Sequence, residues 1–304
     1  MIKKLDDIFE ELKSDNKTMV LSVAAAEDEE VLTAIKDASE MGIIKPVLIG
    51  DEEKIRAISK EIGFSLEGIE VVKTSDIKES AEAAVKMVSG GKADFVMKGL
   101  LDTSVILKEV LNKEYGLRTD SLLSHVMIYE LANYHKLIVL TDGGMNIAPD
   151  FEQKKKILAN SIKAAKSLGL ENVKAACLAA KEKVNPKMPA TLDAAALSEY
   201  GNEGGFGEGV IVEGPMAFDL AVSKEACEVK GYETKVGGDA DILLVPNIET
   251  GNGIGKSFTY IAGGKSAGII MGAKAPVVLV SRADTHESKL YSIAYAALIA
   301  KNQK

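Results

Sequence analysis

Thr18–Gly50 reads TMVLSVAAAEDEEVLTAIKDASEMGIIKPVLIG, and the order of its parts decides the fold. Residues 18–24 form a short apolar run, which predicts a buried strand. From about 28 to 41 the apolar residues fall at helical spacing, and the run stops at Gly42, where a glycine C-terminal cap is expected. Pro46-Val-Leu-Ile-Gly50 opens the next strand. Strands that stay apolar throughout, joined by crossover helices, argue for a parallel sheet covered on both faces.

The rhythm extends in both directions. Leu5, Ile8, Phe9 and Leu12 recur at helical spacing before the first strand, predicting an amphipathic opening helix. Beyond Gly50, strands are predicted at 69–73, 94–98, 125–129, 137–141, 173–178, 210–213, 241–246, 267–271 and 276–280. Helices are expected at about 52–62, 77–89, 104–112, 151–168, 190–199, 217–227, 254–262 and 287–300. No Pro/Ser linker, low-complexity tract or fixed-period repeat divides the chain.

At 304 residues the length suggests about two domains. Lys and Arg together number 37 against 45 Asp and Glu, a net charge of −8 that disfavours binding to a nucleic-acid backbone. No apolar run reaches the roughly 18–20 residues of a membrane span. Met1–Leu12 carries acids where a signal peptide needs an uninterrupted apolar core, so a cytoplasmic protein is expected. Cys177 and Cys227 lie among alanines and read as packed thiols rather than a disulfide framework. Only Arg56, Arg118 and Arg282 are arginines. Since the planar guanidinium suits bidentate recognition of phosphate and carboxylate, each one is a candidate binding group.

Ligands of open α/β sheets bind beyond the carboxyl ends of the strands, and four strand ends run into chemistry-bearing residues. In Asp94-Phe-Val-Met-Lys-Gly99, the strand delivers Lys98 and Gly99 to the edge, with Thr103 or Ser104 placed to cap the next helix. That pattern fits an oxyanion or phosphate cradle, and equally an ordinary capped helix with a solvated lysine. Pro246-Asn-Ile-Glu-Thr-Gly-Asn252 leads into Gly253, Gly255, Lys256 and Ser257. A P-loop needs its first glycine where Thr250 stands, so a nucleotide triphosphatase is disfavoured. The glycines with Asn247, Glu249 and Asn252 still read as a turn that lets backbone approach a bulky ligand.

The third end, Ala275-Pro-Val-Val-Leu-Val-Ser-Arg282, continues through Asp284, His286 and Glu287 into the last helix. Acids at a helix start suit its dipole, but that does not explain Arg282. A guanidinium, a hydroxyl and two carboxylates can bind an anion and move a proton, which makes this the leading catalytic candidate. The fourth end, Thr141-Asp-Gly-Gly-Met-Asn-Ile-Ala-Pro149, reads equally as a site and as a tight turn. His125, His135 and His286 do not cluster, and no metal-ligand spacing is present; His286 alone is a minor candidate base.

Taken together, Ser281-Arg282-Ala-Asp284, Pro246–Asn252, Glu213-Gly-Pro-Met-Ala-Phe-Asp219 and Thr141–Pro149 resemble the phosphate acetyl/butyryl-transferase family. Lys92–Gly99 and Gly116-Leu-Arg-Thr-Asp-Ser-Leu-Leu-Ser-His125 make the butyryl branch the nearer match. The resemblance spans nearly the whole chain. It implies two three-layer αβα domains with mostly parallel sheets and an interdomain cleft, of the phosphate acetyltransferase and isocitrate-dehydrogenase-like kind. The first domain would comprise 1–120 plus 270–304, and the second 121–269. The implied reaction is butyryl-CoA plus phosphate to butyryl phosphate plus CoA, by direct thiol attack and without a metal or an acyl-enzyme.

The resemblance also assigns roles. Ser281 would position the thiol, and Arg282 would bind the phosphoryl or carbonyl oxygen. The acetyl branch has an aspartate base seven residues after the serine, where this chain has Ser288; Glu287 ranks first as its replacement and Asp284 second. Lys108 and Glu30 stand where that branch has substrate arginines, and Arg118 would take over phosphate binding beside Lys98, Gly99, Thr103, Ser104 and Asn252. Asn247, Glu249, Gly251 and Gly253 would form a loop for CoA. No resident cofactor is expected, since CoA and acyl-CoA enter as substrates. No nucleic-acid or membrane partner is expected; a homo-oligomer is, with butyrate kinase as a pathway neighbour. The alternatives are a phosphate acetyltransferase or broad short-chain acyltransferase, a metal- and NAD-dependent dehydrogenase of related architecture, and a non-catalytic acyl-CoA sensor.

Overall fold

The computed structural model describes residues 1–14, 17–279 and 284–303. In chain order the elements begin α1 (Asp6–Lys13), β1 (Met19–Ala24), α2 (Glu29–Glu40), β2 (Ile44–Gly50) and α3 (Glu52–Glu61). There follow β3 (Glu70–Lys73), α4 (Ile77–Ser89), β4 (Phe95–Lys98) and α5 (Thr103–Val110). The middle of the chain holds β5 (Ser124–Glu130), β6 (Ile138–Thr141), α6 (Phe151–Lys166), β7 (Val173–Leu178), α7 (Pro189–Asn202) and β8 (Val210–Met216). Then come α8 (Phe218–Val222), α9 (Lys224–Lys230), β9 (Ile242–Leu244) and α10 (Ile248–Tyr260). The chain closes with β10 (Lys265–Met271), β11 (Val277–Val278) and α11 (His286–Asn302). Two compact units result, one of Leu5–Ser121 with Ala267–Lys304 and one of Met1–Lys4 with Leu122–Ser266.

In the unit containing Leu5–Ser121 the strand order is β3-β2-β1-β4-β11-β10. All neighbours run parallel except β10, which is antiparallel to β11. Strand alternation explains how both faces are covered. The Ser22 hydroxyl donates to the Ala84 carbonyl of α4 at 3.1 Å, so Val20, Ser22 and Ala24 face α4. Leu21 and Val23 face the other way, where α11 lies against β1 and β4. As expected, Gly42 ends the first crossover helix: it has φ +75°, and its N–H donates to the Ser39 carbonyl. The opening helix also forms, burying Ile8, Phe9 and Leu12.

The unit containing Leu122–Ser266 orders its strands β5-β6-β9-β7-β8, parallel except for β5 against β6. Leu140, Leu243 and Ala176 share one apolar cluster with Leu220, Val236 and Phe258. The alternate residues of the same strands turn toward α6 and α7. Both cysteines are buried, as the sequence predicts.

Three expectations need correction. The helix predicted at 217–227 is two helices, because Ser223 is extended at φ −128° and its hydroxyl caps α9 at the Ala226 N–H. The hydroxyls of Thr103 and Ser104 do not cap α5: Asp102 holds the cap position, makes no side-chain cap bond, and the two hydroxyl residues are the first helical ones. The stretch predicted as a glycine loop over 247–253 is instead the start of α10.

A charged network closes the amino ends of β6, β9 and β7. Lys136 lies 3.0 Å from the Asp239 carboxylate and 2.6 Å from that of Asp241; the Asp239 carboxylate is also met by Lys174 at 2.5 Å and by His135 at 2.8 Å. Burial pushes the Asp239 carboxyl up, but hydrogen bonds from Lys174, Lys136 and His135 outweigh it and hold the group well below the usual carboxylate range. A carboxyl lowered on folding stabilises the fold above its unfolded pKa of about 3.9, and that stability is lost as pH falls toward the folded value. Replacing Asp239→Asn should cost about 1–3 kcal/mol at pH 7. Urea unfolding measured from pH 7 down to about pH 2 should show the two curves converging. A gap that stays constant with pH would remove the network's assigned role.

Candidate functional site

The parallel strands of each unit deliver their carboxyl ends to one edge, and the candidate residues gather there. In the unit of Leu5–Ser121, Ala24 lies beside Lys98 and Ile49, and Val278 beside Met97. Lys98 is buried, and its ammonium donates to the Gly99 and Leu101 carbonyls at 3.3 and 3.0 Å. It is thereby pinned in the turn that starts α5, whose exposed first residues are Thr103 and Ser104. Gly99 is required by close approach: a Cβ there would sit 2.2 Å from the Ala25 carbonyl oxygen and 2.7 Å from that of Ala24. Its N–H donates to the Ala24 carbonyl, and the Leu100 N–H to that of Ala25. Ala25 itself adopts φ +50° to make the fit.

Arg56 is spent on the surface, where its Nη2 lies 2.8 Å from Glu52 one helical turn away. Arg118 is exposed. Its neighbours are tied to the β10–β11 turn: the Lys274 N–H donates to the Leu117 carbonyl, and the Thr119 hydroxyl to the Gly272 carbonyl. Ser281 and Arg282 lie outside the described residues.

Immediately beyond them, the Asp284 carbonyl accepts from the Lys289 ammonium at 2.8 Å. Glu287 is exposed in the first turn of α11 and accepts from the Tyr291 hydroxyl at 3.2 Å. Ser288, at the acetyl branch's base position, receives the Thr285 cap. His286, the minor candidate base, pairs with Asp37 of α2 at 2.7 Å.

Sequence reading missed Lys289. It is 2 % exposed and reaches Glu30 of α2 at 2.5 Å, and that hydrogen bond with its charge lowers the Glu30 carboxyl. The position where the acetyl branch is expected to carry an arginine is thus an acid neutralised by a lysine from α11.

In the unit of Leu122–Ser266, the fourth candidate resolves into a structural turn. The buried Asp142 carboxylate accepts from the N–H groups of Gly144 and Met145 at 2.9 Å, His125 at 3.1 Å and Asn146 at 3.3 Å. The Asn146 side-chain amide adds a fifth donor at 2.6 Å and also donates to the Leu123 carbonyl at 2.9 Å. A carboxylate so saturated organises backbone rather than moving protons.

The turn packs against α10. A Cβ on Gly143 would sit 2.7 Å from the Gly251 carbonyl carbon, so both positions must be glycine. Asn247 caps α10, its side-chain oxygen accepting from the Thr250 N–H at 3.0 Å and the Thr250 hydroxyl at 2.7 Å. The four residues expected to form a CoA loop therefore comprise a helix cap (Asn247) and first-turn or second-turn helical residues (Glu249, Gly251, Gly253). Asn252 is exposed on the second turn, and its amide donates to the Gly143 carbonyl at 3.4 Å.

Among the described residues no three His, Cys, Asp or Glu side chains gather as a metal site, and no helix is long and apolar enough to cross a membrane. At the edge of the Leu5–Ser121 unit, the exposed Thr103 and Ser104 thus stand beside the turn that holds the Lys98 ammonium.

The family described as phosphate acetyl/butaryl transferase matches residues 4–85 and 76–297. A phosphate butyryltransferase of Clostridium acetobutylicum is 47% identical over 303 residues, covering 100% of both chains. A phosphate acetyltransferase of Thermotoga maritima is 41% identical over 280 residues, 92% of this chain and 95% of that one. Among solved structures, a branched-chain phosphotransacylase from Enterococcus faecalis V583 superposes with a TM-score of 0.83 at 36% identity, covering 93% of this chain and 99% of the other. Motif order, strand-edge chemistry and full-length likeness agree: the chain belongs to the phosphate acetyl/butaryl transferase family.

Proposed function

We propose that the chain transfers a short acyl group, butyryl foremost, between CoA and inorganic phosphate. The observation that carries this reading is the 47% identity to a phosphate butyryltransferase along the full length of both chains. In the direction of acyl-CoA synthesis, the CoA sulfur attacks the acyl phosphate carbonyl. The C–S bond forms, the C–O bond to phosphorus breaks, inorganic phosphate leaves, and the thiol proton passes to a base. A thiol of pKa about 8.5 is mostly protonated near neutrality, so the site must hold a base or stabilise the thiolate.

In this reading Ser281 positions the sulfur and Arg282 holds the oxygen on which charge develops. Glu287 takes the proton, with Asp284 next in rank. Lys98, the Gly99 backbone, the Thr103 and Ser104 hydroxyls and Arg118 bind phosphate. Asn247, Glu249, Gly251, Asn252 and Gly253, now placed at the start of α10, support CoA through helix-terminal geometry rather than a flexible loop. CoA comes and goes as a substrate. In the opposite direction the product is acyl phosphate, a mixed anhydride that suits consumption by an acyl kinase such as butyrate kinase, and the enzyme is read as a cytoplasmic homo-oligomer. A broader short-chain acyltransferase is the second reading, favoured by the 41% identity to a phosphate acetyltransferase. The dehydrogenase reading loses its footing, because the family is one of acyl–phosphate transferases.

Purified protein given butyryl-CoA should release free thiol only when phosphate is added, followed with a colour reagent. Absence of release from butyryl-, propionyl- and acetyl-CoA would overturn the activity. Arg282→Ala should lower turnover on the order of 100-fold or more with an unchanged melting temperature. Near-normal turnover would remove the guanidinium from the mechanism.

A further inference from the structure

A recess opens on the α6/α7 side of the Leu122–Ser266 unit, at the carboxyl ends of β7 and β9. It has about 180 Å³ of empty space, its open mouth included. Leu178, Leu244, Leu197 of α7 and Ala190 of α7's first turn form most of its wall, and Pro246 stands at its rim, next to the Asn247 cap of α10. The one charged feature is the pair Lys154–Asp193, 2.6 Å apart, with Lys154 only 5 % exposed. Burial pushes the Cys177 thiol up to about 12, against a smaller downward pull from Lys154, so the sulfur stays protonated. The lining is therefore formally neutral. An anion entering it would have to displace Asp193 from Lys154, whereas an uncharged chain needs no compensation.

We infer that this recess receives the apolar tail of the acyl group and sets the preferred acyl length. The inference rests on the acyl-transfer reading and adds where the substrate's carbon chain lies. Size limits what can enter: of that space only about 10 Å³ is open to the centre of a water-sized group, room for about one such group. That room suits a single terminal methyl, with the carbons before it lying in the open mouth. An acetyl group has no carbon to place that deep. Position agrees as well, since strand ends of α/β sheets are where ligands lie.

The test compares kcat/KM for acetyl-, butyryl- and hexanoyl-CoA, at saturating phosphate, in the wild type and two variants. Ala190→Leu narrows the recess at a partly exposed helix position and should lower the butyryl-to-acetyl ratio about 10-fold or more. Leu197→Ala deepens it and should raise the hexanoyl-to-butyryl ratio by a similar factor. Circular dichroism and melting verify each fold, and should one variant not fold, the other decides. Ratios within about two-fold of wild type in a folded variant overturn the recess while the activity stands. A wild-type chain that releases no thiol from any acyl-CoA overturns the activity and the recess together.

Discussion

Five N–H donors on one buried carboxylate, that of Asp142, hold the end of the Leu122–Ser266 sheet in place. A buried carboxylate without partners costs several kcal/mol, so the turn either forms with all these bonds or disrupts the strand that leads into it. Because the bonds form, Gly143 is presented flat enough for α10 to dock against it at Gly251. Asn146, held by the same carboxylate, satisfies the Leu123 carbonyl where the chain enters β5. Asn160 does the same for Leu122 and also donates to the Ser124 hydroxyl. The position of α10, the entry to β5 and the rim of the recess thus rest on one charge. Losing it would loosen all three, which separates a positioning role for Asp142 from a chemical one.

The two ends of the same sheet divide the work. Amino ends carry Lys136, Lys174, Asp239 and Asp241, an ion network that serves stability. Carboxyl ends carry the Asp142 turn, Gly143 and the Asn247 cap of α10. Parallel strands make this division available, since every β–α connection emerges on the same side.

How far the sequence could be read follows from the range of the forces involved. Strands β1, β2, β4, β6 and β7 were legible because burial on both faces leaves an unbroken apolar run, a local signal. Gly42 was legible because a cap is also local. Gly251 reads locally as a loop residue, since glycine's preference is against helix, whereas Gly255 lies inside the helix expected at 254–262. Their reason is tertiary: one helical turn apart on α10, they meet Gly143 and the Tyr129 hydroxyl, where a Cβ would come within 2.7 Å of each. Gly253, on another face, meets nothing. Lys289 and Lys154 escaped notice for the same reason, as a lysine's burial is decided by distant partners, here Glu30 and Asp193. Ser281 and Arg282, the residues the family likeness ranks highest, lie outside the described residues, and their roles rest on motif alone.

Economy of arginine bears on how the substrate's unlike parts are sorted. Of three guanidinium groups, Arg56 is held by a surface acid and Arg118 is exposed; in the proposed mechanism Arg118 and Arg282 take the anionic oxygens. Lys98 donates to the Gly99 and Leu101 carbonyls, and two other buried lysines are neutralised by acids, Lys154 by Asp193 and Lys289 by Glu30. A phosphate seeks an uncompensated cation with several donors, and neither buried lysine offers one. An acyl tail seeks the reverse, a lining without net charge. In the proposed reading the phosphoryl oxygens meet Lys98 and the arginines while the hydrocarbon meets a neutral recess, so the unlike parts of one small substrate are bound by different rules. On the proposed placement of the acyl tail, selectivity for chain length rests on packing, where one methylene changes rates by about 10–200-fold.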